Sequence, residues 1–311
     1  MVNRNPQHIL IFGAATVDIK GRAASRLVPG SSTPGQISLS YGGVARNIAE
    51  NLARLGEPTI LLSAVGRDPF GAQILEHTAQ GGVDVSRVLI SPNHHSATFL
   101  RILDEKGAPL LSLDEMGIIQ LLTPDYVAKH RELFDKAKMV VIDANLPPPT
   151  IRAIVFAARR ANVPLCADPA SVALAPKLRR YLANFAIVRP NVHEAEVLTG
   201  MSIGGRGEAM QAAQYLVSRG VGIAIITLAE EGLCYATSTE SGYIPAIKCE
   251  VIDYTGAGDA LTAAVVYGLL NEMPIDEAMR LGVSAATLTL KCHDTVCPDL
   301  SLERLYDQLV I

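Results

Sequence analysis

No two of the five cysteines stand in a C-x-x-C spacing. Cys166, Cys234, Cys249, Cys292 and Cys297 are scattered and odd in number, so neither a disulfide framework nor a zinc site is expected, and a reducing, cytoplasmic setting fits. Long hydrophobic runs are missing too. The longest apolar stretches fall short of the ~18–20 residues that cross a bilayer. The opening residues 1–7 are polar, without the apolar core of a secretion signal. No membrane partner is expected, and so short a leading segment leaves no room for a DNA-binding domain. A basic excess is absent as well: the net charge is −4, whereas general nucleic-acid binding needs a basic face.

Three motifs are lacking. Without G-x-x-x-x-G-K-[ST] the chain is not a P-loop enzyme, and without G-x-G-x-x-G after the first strand a dehydrogenase is weakened. His193-Glu194 does not continue into the H-E-x-x-H of a zinc protease. His94-His95 has no third ligand in view and reads as a solvated loop.

What is present is ample apolar material. With 311 residues, 49% of them apolar, the chain can build one large α/β domain, with or without an appendage. Apolar strand runs fall at 8–14, 59–65, 85–90, 139–143, 165–168, 185–188 and 223–228. Helical spacing falls at 44–55, 69–80, 124–137, 149–161, 192–199, 207–219, 260–271, 275–290 and 302–309. The alternation predicts a mostly parallel sheet with helices on both faces, a three-layer α/β/α fold spanning 1–311. Residues 15–41 and 96–115 break the rhythm. They alternate with period two around the turns at Pro29-Gly30 and at Asp104-Glu105-Lys106-Gly107. They predict a small projecting sheet of about four strands, placed as a lid, whose uncovered face suits a homodimer.

The chemistry-bearing stretch is Thr255-Gly256-Ala257-Gly258-Asp259, a glycine turn that runs into a helix. Glycines let backbone amides approach a ligand, and a helix start offers unpaired amides and partial positive charge, a site for phosphate. An aspartate there makes sense as a base for an attacking hydroxyl; the plain alternative is a helix cap. At Arg189-Pro190-Asn191-Val192-His193-Glu194, Asn191 and Glu194 have the spacing of a capping box. They also suit a hydrated Mg²⁺, which binds few carboxylates and keeps its waters. At Gly42-Gly43-Val44-Ala45-Arg46-Asn47, Gly42, Gly43 and Asn47 suit a polyhydroxylated ligand. In the plain alternative Asn47 packs a helix and Arg46 pairs with Glu50 on the surface. Asp18, just past the first strand, can accept two hydrogen bonds from neighbouring hydroxyls. Asn145, past the strand at 139–143, joins the substrate-binding candidates.

Together these motifs resemble the PfkB/ribokinase family of sugar and nucleoside kinases over residues 9–298. The resemblance is carried by Gly42-Gly43…Asn47, Pro190-Asn191-x-x-Glu194, Thr227-Leu228 with Gly232, and Asp253-x-Thr255-Gly256-Ala257-Gly258-Asp259. It implies Asp259 as the base, with the Gly256–Gly258 amides as its anion hole. It implies Asn191 and Glu194 on Mg²⁺ and phosphate, and Thr227 and Gly232 with Asn191 and the glycine turn at ATP. It places Asp18 on sugar hydroxyls, and Asp253 and Thr255 on a monovalent cation such as K⁺. Pro34-Gly35-Gln36-Ile37 and the unbroken run 42–52 are most similar to the pseudouridine kinase branch, where Arg46 joins the substrate set. Asp114-Glu115-Met116 and Arg189 depart from that branch's usual Asn-Asp-Met and Lys. The implied activity is ATP-dependent phosphorylation of a ribosyl compound, pseudouridine first. The alternatives are a ribokinase or another nucleoside kinase, and an inactive kinase-like scaffold, against which the intact Asp259, Asn191 and Glu194 speak.

Overall fold

The computed structural model describes residues 7–28 and 30–309; the polar opening segment and Pro29 lie outside the described residues. The chain enters at β1 (His8–Phe12), whose five residues are all buried. It leaves the core for β2 (Thr16–Ala23) and β3 (Gly35–Gly42), then returns through α1 (Val44–Arg54), β4 (Thr59–Leu62) and β5 (Ala64–Gly66). Then α2 (Pro69–Gln80) starts on Asp68, whose side chain accepts from Gly71 N. After β6 (Leu89–Ser91) comes the hairpin β7 (Thr98–Leu103) and β8 (Pro109–Glu115). There follow α3 (Pro124–Lys129), α4 (Arg131–Phe134), β9 (Ala137–Asp143), α5 (Pro148–Ala161), β10 (Leu165–Asp168), β11 (Ile187–Val188), α6 (Val192–Thr199) and α7 (Arg206–Ser218). The chain closes with β12 (Ile223–Thr227), β13 (Gly232–Ala236), β14 (Ser241–Pro245), α8 (Ala257–Leu270), α9 (Ile275–Leu290) and α10 (Leu302–Gln308).

The main sheet runs β14-β13-β12-β11-β10-β9-β1-β4, parallel from β4 to β12. Alternation along β1 sorts side chains between the layers. Ile9 and Ile11 join Ile48, Leu52, Leu261, Val265 and Met279 on one face. Leu10 and Phe12 join Tyr126, Phe134, Ile151, Ile154 and Leu216 on the other. Burial on both faces is why such strands read as continuous apolar runs. The fold is thus the three-layer α/β/α architecture the alternation predicts. A second, four-stranded sheet, β3-β2-β7-β8, stands apart from it.

Four expectations need correcting. The helix expected over 124–137 is two short pieces, because His130 leaves helical geometry (φ −110°, ψ 20°), which lets Phe134 turn inward against Phe12. The strands expected at 85–90 and 185–188 shrink to β6 and β11. The hairpin β13–β14 has no forecast strand behind it and adds two antiparallel strands to the sheet edge; its glycines and serines lack a clear apolar alternation. Cys292 and Cys297 are joined as a disulfide, with Cα atoms 5.7 Å apart, where none was expected. Their loop brings the two together at a spacing outside C-x-x-C.

Candidate active site

The carboxyl ends of β1, β9, β10, β11 and β12 lie along one edge of the sheet, where open α/β sheets bind ligands. Here α8 begins. Gly256 caps it at φ 84°, a conformation in which a Cβ would collide with the carbonyl of Thr295, so glycine is required. The capping carbonyl Gly256 O accepts from Ala260 N at 2.9 Å. The amides of Ala257, Gly258 and Asp259 come ahead of it, at the positive end of the helix.

Asp259 is buried in that first turn. Asn47 Nδ2 donates to its Oδ2 at 2.7 Å, and an Arg189 guanidinium nitrogen lies 3.9 Å from its Oδ1. Burial and the neighbouring Asp168 push the Asp259 carboxyl up to about 7, against the pull of Arg189 and Asn47. A carboxyl that titrates near neutrality is suited to accept a proton.

Arg189, at the end of β11, organises this corner. Its guanidinium pairs with Asp168, the last residue of β10, its Nε donates to Thr262 Oγ1 at 2.9 Å, and it lies against the backbone of Gly258. The adjacent strand end carries Asp143, fully buried. Its carboxylate accepts from Ala14 N at 2.8 Å, Ala45 N at 3.1 Å and Asn145 N at 2.9 Å. It thereby ties β1, β9 and the unsatisfied start of α1, where Gly43 offers no capping side chain. Burial raises the Asp143 carboxyl to about 6 despite those bonds. Asp143 and Asp168 were not picked out for roles in the sequence; the signal was an aspartate closing an apolar strand run.

The Gly42–Asn47 segment lies on the same edge. Asp18 is buried on β2, accepts from Thr16 Oγ1 at 2.7 Å, and occupies space that a Cβ on Gly42 would fill. Burial raises its carboxyl above the ordinary range. Gly43, at φ 94°, presses on the Ala14 carbonyl. Asn47 faces Asp259 rather than open solvent, and its Oδ1 accepts from Thr295 Oγ1 at 3.2 Å. Arg46 does pair with Glu50, but in the core, where both side chains are almost wholly buried. Its guanidinium also donates to the Tyr41 carbonyl, and Arg54 shares Glu50 at 2.8 Å. Arg46 braces α1 from within, and the surface form of that pairing, the plain alternative to a substrate contact, is not found.

The two readings of Asn191 and Glu194 meet here. Their capping box is complete: Asn191 Oδ1 accepts from Glu194 N and Glu194 Oε2 from Asn191 N, both at 2.9 Å. Burial and Asp168 raise the Glu194 carboxyl, against Arg189 and the cap. Asn191 is bridged to Thr227, and Thr227 N donates to Pro190 O at 3.1 Å. Gly232, at φ 108°, starts β13 where a Cβ would strike the Ile244 carbonyl. Asp253 and Thr255 precede the glycine turn, and both bond Lys20 of β2.

A family model for pfkB family carbohydrate kinase matches residues 6–300. The chain belongs to this family. The kinase is 36% identical over 300 residues to pseudouridine kinase of Escherichia coli, covering 96% of this chain and 95% of that protein. It is 29% identical over 280 residues to guanosine-inosine kinase of Exiguobacterium acetylicum, covering 89% and 92%. A carbohydrate kinase from Agrobacterium tumefaciens superposes with a TM-score of 0.85 at 28% identity, over 97% of this chain and 96% of that one. A ribokinase of Arabidopsis thaliana, solved with ribose and ATP, superposes with a TM-score of 0.88 at 23% identity over 98% and 99%, a shared fold. The chain is therefore a sugar or nucleoside kinase, and ATP use is expected of its family.

The family implies metal ions, and the residues differ in how they fit. Among the described residues no three His, Cys, Asp or Glu side chains cluster as a metal site. Asn191 and Glu194, with one Glu194 oxygen spent on the cap, fit outer contacts to an ion that keeps its waters and arrives with phosphate. Asp253 and Thr255 do not fit a monovalent cation, because the Lys20 ammonium lies on both. Among the described residues no helix is long and apolar enough to cross a membrane.

Proposed function

We propose that this kinase transfers the terminal phosphoryl group of ATP to the 5′-hydroxyl of pseudouridine. The observation that carries the acceptor is the 36% identity with the E. coli pseudouridine kinase along 96% of the chain. The observation that supports the reaction is a buried carboxyl, raised to about 7, at the start of a glycine-led helix.

In this reading Asp259 Oδ1 or Oδ2 takes the proton of the attacking hydroxyl. The amides of Ala257, Gly258 and Asp259 face the negative charge that gathers on the transferring group; such fixed donors are the largest source of rate in phosphoryl transfer. Arg189 keeps Asp259 ionisable and stiffens the glycine turn from behind. Asn47 holds the carboxylate's orientation. Asp18, Gly42, Gly43 and Asn145 line the ribose side, and Asn191, Thr227 and Gly232 the nucleotide side. Bound Mg²⁺, reached through water from Asn191 and Glu194, would neutralise phosphate charge. The small sheet would close over the acceptor and exclude water, which limits wasteful hydrolysis. Such an ATP-dependent enzyme suits the cytoplasm.

We also propose a homodimer through that sheet. Register puts Ile37, Leu39, Leu111 and Leu113 on one face, and they are 79%, 58%, 70% and 69% exposed. Asp18 and Lys20 lie on the other face, toward the glycine turn. A contiguous apolar sheet face of this kind marks an interface.

The test is a panel of pseudouridine, uridine, ribose, adenosine and fructose with ATP and Mg²⁺, the product identified by mass spectrometry and ³¹P NMR. Pseudouridine should give a 5′-monophosphate. Turnover of ribose or adenosine in its place would move the acceptor elsewhere in the family.

A further inference from the structure

The residues placed for a monovalent cation already hold a positive charge of the chain's own. Asp253 Oδ1 accepts from Thr255 N at 2.9 Å and from Thr255 Oγ1 at 2.7 Å. Its Oδ2 pairs with Lys20 Nζ, which also lies 3.1 Å from Thr255 Oγ1. The Leu290 carbonyl beside them accepts from Ile252 N at 2.8 Å and Asp253 N at 3.3 Å. Lys20 and Asp253 are 14% and 22% exposed, so water screens the pair only in part. A second cation brought to this carboxylate would meet the ammonium at close range in a medium of low polarity. Burial works against ionising Asp253, but the bonds from Lys20 and Thr255 prevail and hold its carboxyl below the usual range. Thr255 is the residue before Gly256, so the ammonium bonds the residue that leads into the turn whose amides begin α8.

We propose that the Lys20 ammonium takes the place of a monovalent metal ion behind the glycine turn, so that the kinase works without K⁺. Lys20 belongs to β2 of the small sheet, so the same bond fastens that sheet to the catalytic turn. In this reading the charge, held next to the residue that leads into the glycine turn, adds to the field its amides present to the transferring group. An ordinary alternative, a sheet-to-loop ion pair with no part in the reaction, predicts a different response to substitution.

The proposal rests on the kinase reading, not on the identity of the acceptor. The experiment compares initial rates in K⁺ and in tetramethylammonium at equal ionic strength, with whichever acceptor the panel shows is turned over. Loss of the pseudouridine reading would appear separately, in the panel. The wild-type enzyme should run at the same rate in both salts within about twofold, and K⁺ should not raise its melting temperature over tetramethylammonium. Lys20→Ala should lose about tenfold or more in tetramethylammonium and recover in K⁺, which can then enter at Asp253. A wild-type rate several-fold higher in K⁺ overturns the proposal. So does a Lys20→Ala enzyme as active as wild type in tetramethylammonium, or a loss that K⁺ does not relieve. If the variant fails to fold, the wild-type rates and melting curves in the two salts decide.

Discussion

Asp259 carries two opposed demands. As a base it must be ionised at working pH, yet burial beside Asp168 disfavours its charge. Asp259→Asn should therefore lower turnover by ~10²–10⁴-fold or more while ATP binding survives, since general-base assistance is of that size. Isothermal titration with a non-hydrolysed ATP analogue and a coupled rate assay check the two halves. The pH dependence follows from the same residue: kcat/KM should fall as pH drops through about 7, where Asp259 takes up its proton. Its folded pKa lies above the unfolded value, so the folded state binds the extra proton. Stability from this group is present below about 4 and lost as pH rises through about 7. Asp259→Asn should accordingly melt higher than wild type at pH 8.5, with the gap closing toward pH 5. At Glu194 the cap and the metal contact separate by substitution. Glutamine serves a capping box as glutamate does, so Glu194→Gln should keep the melting temperature and raise the Mg²⁺ needed for half-maximal rate. An unchanged Mg²⁺ dependence would leave Glu194 with the cap alone. Glu194→Ala should lose about 1 kcal/mol of stability through the cap.

At the scale of elements, α1 is held by charges inside the molecule. Arg46 and Glu50 are both buried, and removing Arg46 leaves the buried Glu50 with Arg54 as its remaining arginine partner, a loss of up to about 3 kcal/mol. Arg46→Ala should therefore show its effect in a denaturant titration rather than in acceptor preference. A stable variant with altered preference would instead put Arg46 at the acceptor. This helix shows what the sequence made legible. Its period, its end near Gly56 and the glycine pair at its start were all readable, because each is a local backbone requirement. That Arg46 turns inward was not, since i,i+4 spacing with Glu50 is the same on a surface and in a core. Asp143 was passed over for a similar reason. Its partners Ala14 and Ala45 are 129 and 98 residues away, a contact only the folded sheet creates. The capping box at Asn191, by contrast, joins residues only three positions apart and was visible in the sequence. The hairpin β13–β14 escaped notice because β14 is a half-exposed edge strand with no continuous apolar run, while β13, though wholly buried, is only five residues long and opens on a glycine.

Across the whole molecule the sheet edge gathers what the sequence scatters. Residues 143, 168, 189 and 227 reach one edge because parallel strands end on one side, and the helices α1 and α8 and the small sheet bring 47, 259 and 18 to it. Alternation alone foretold that architecture, since strands separated by helices can pair only in parallel with helices on the two faces. The small sheet places its polar face, with Lys20, toward Asp253 and leaves its apolar face outward. If that outward face is a dimer contact, Leu111→Lys with Leu113→Lys should give a monomer by light scattering while the melting temperature stays near that of wild type. A double variant still dimeric would place the interface elsewhere.

We propose transfer of a phosphoryl group to pseudouridine by Asp259 and the glycine turn. Its most direct test is kcat/KM for pseudouridine against ribose, measured with the unmodified enzyme at saturating ATP and Mg²⁺. A site whose buried polar groups match a nucleoside should prefer pseudouridine by about tenfold or more, because unpaired buried groups are costly. Equal values for the two acceptors, or a higher value for ribose, would overturn the assignment of pseudouridine.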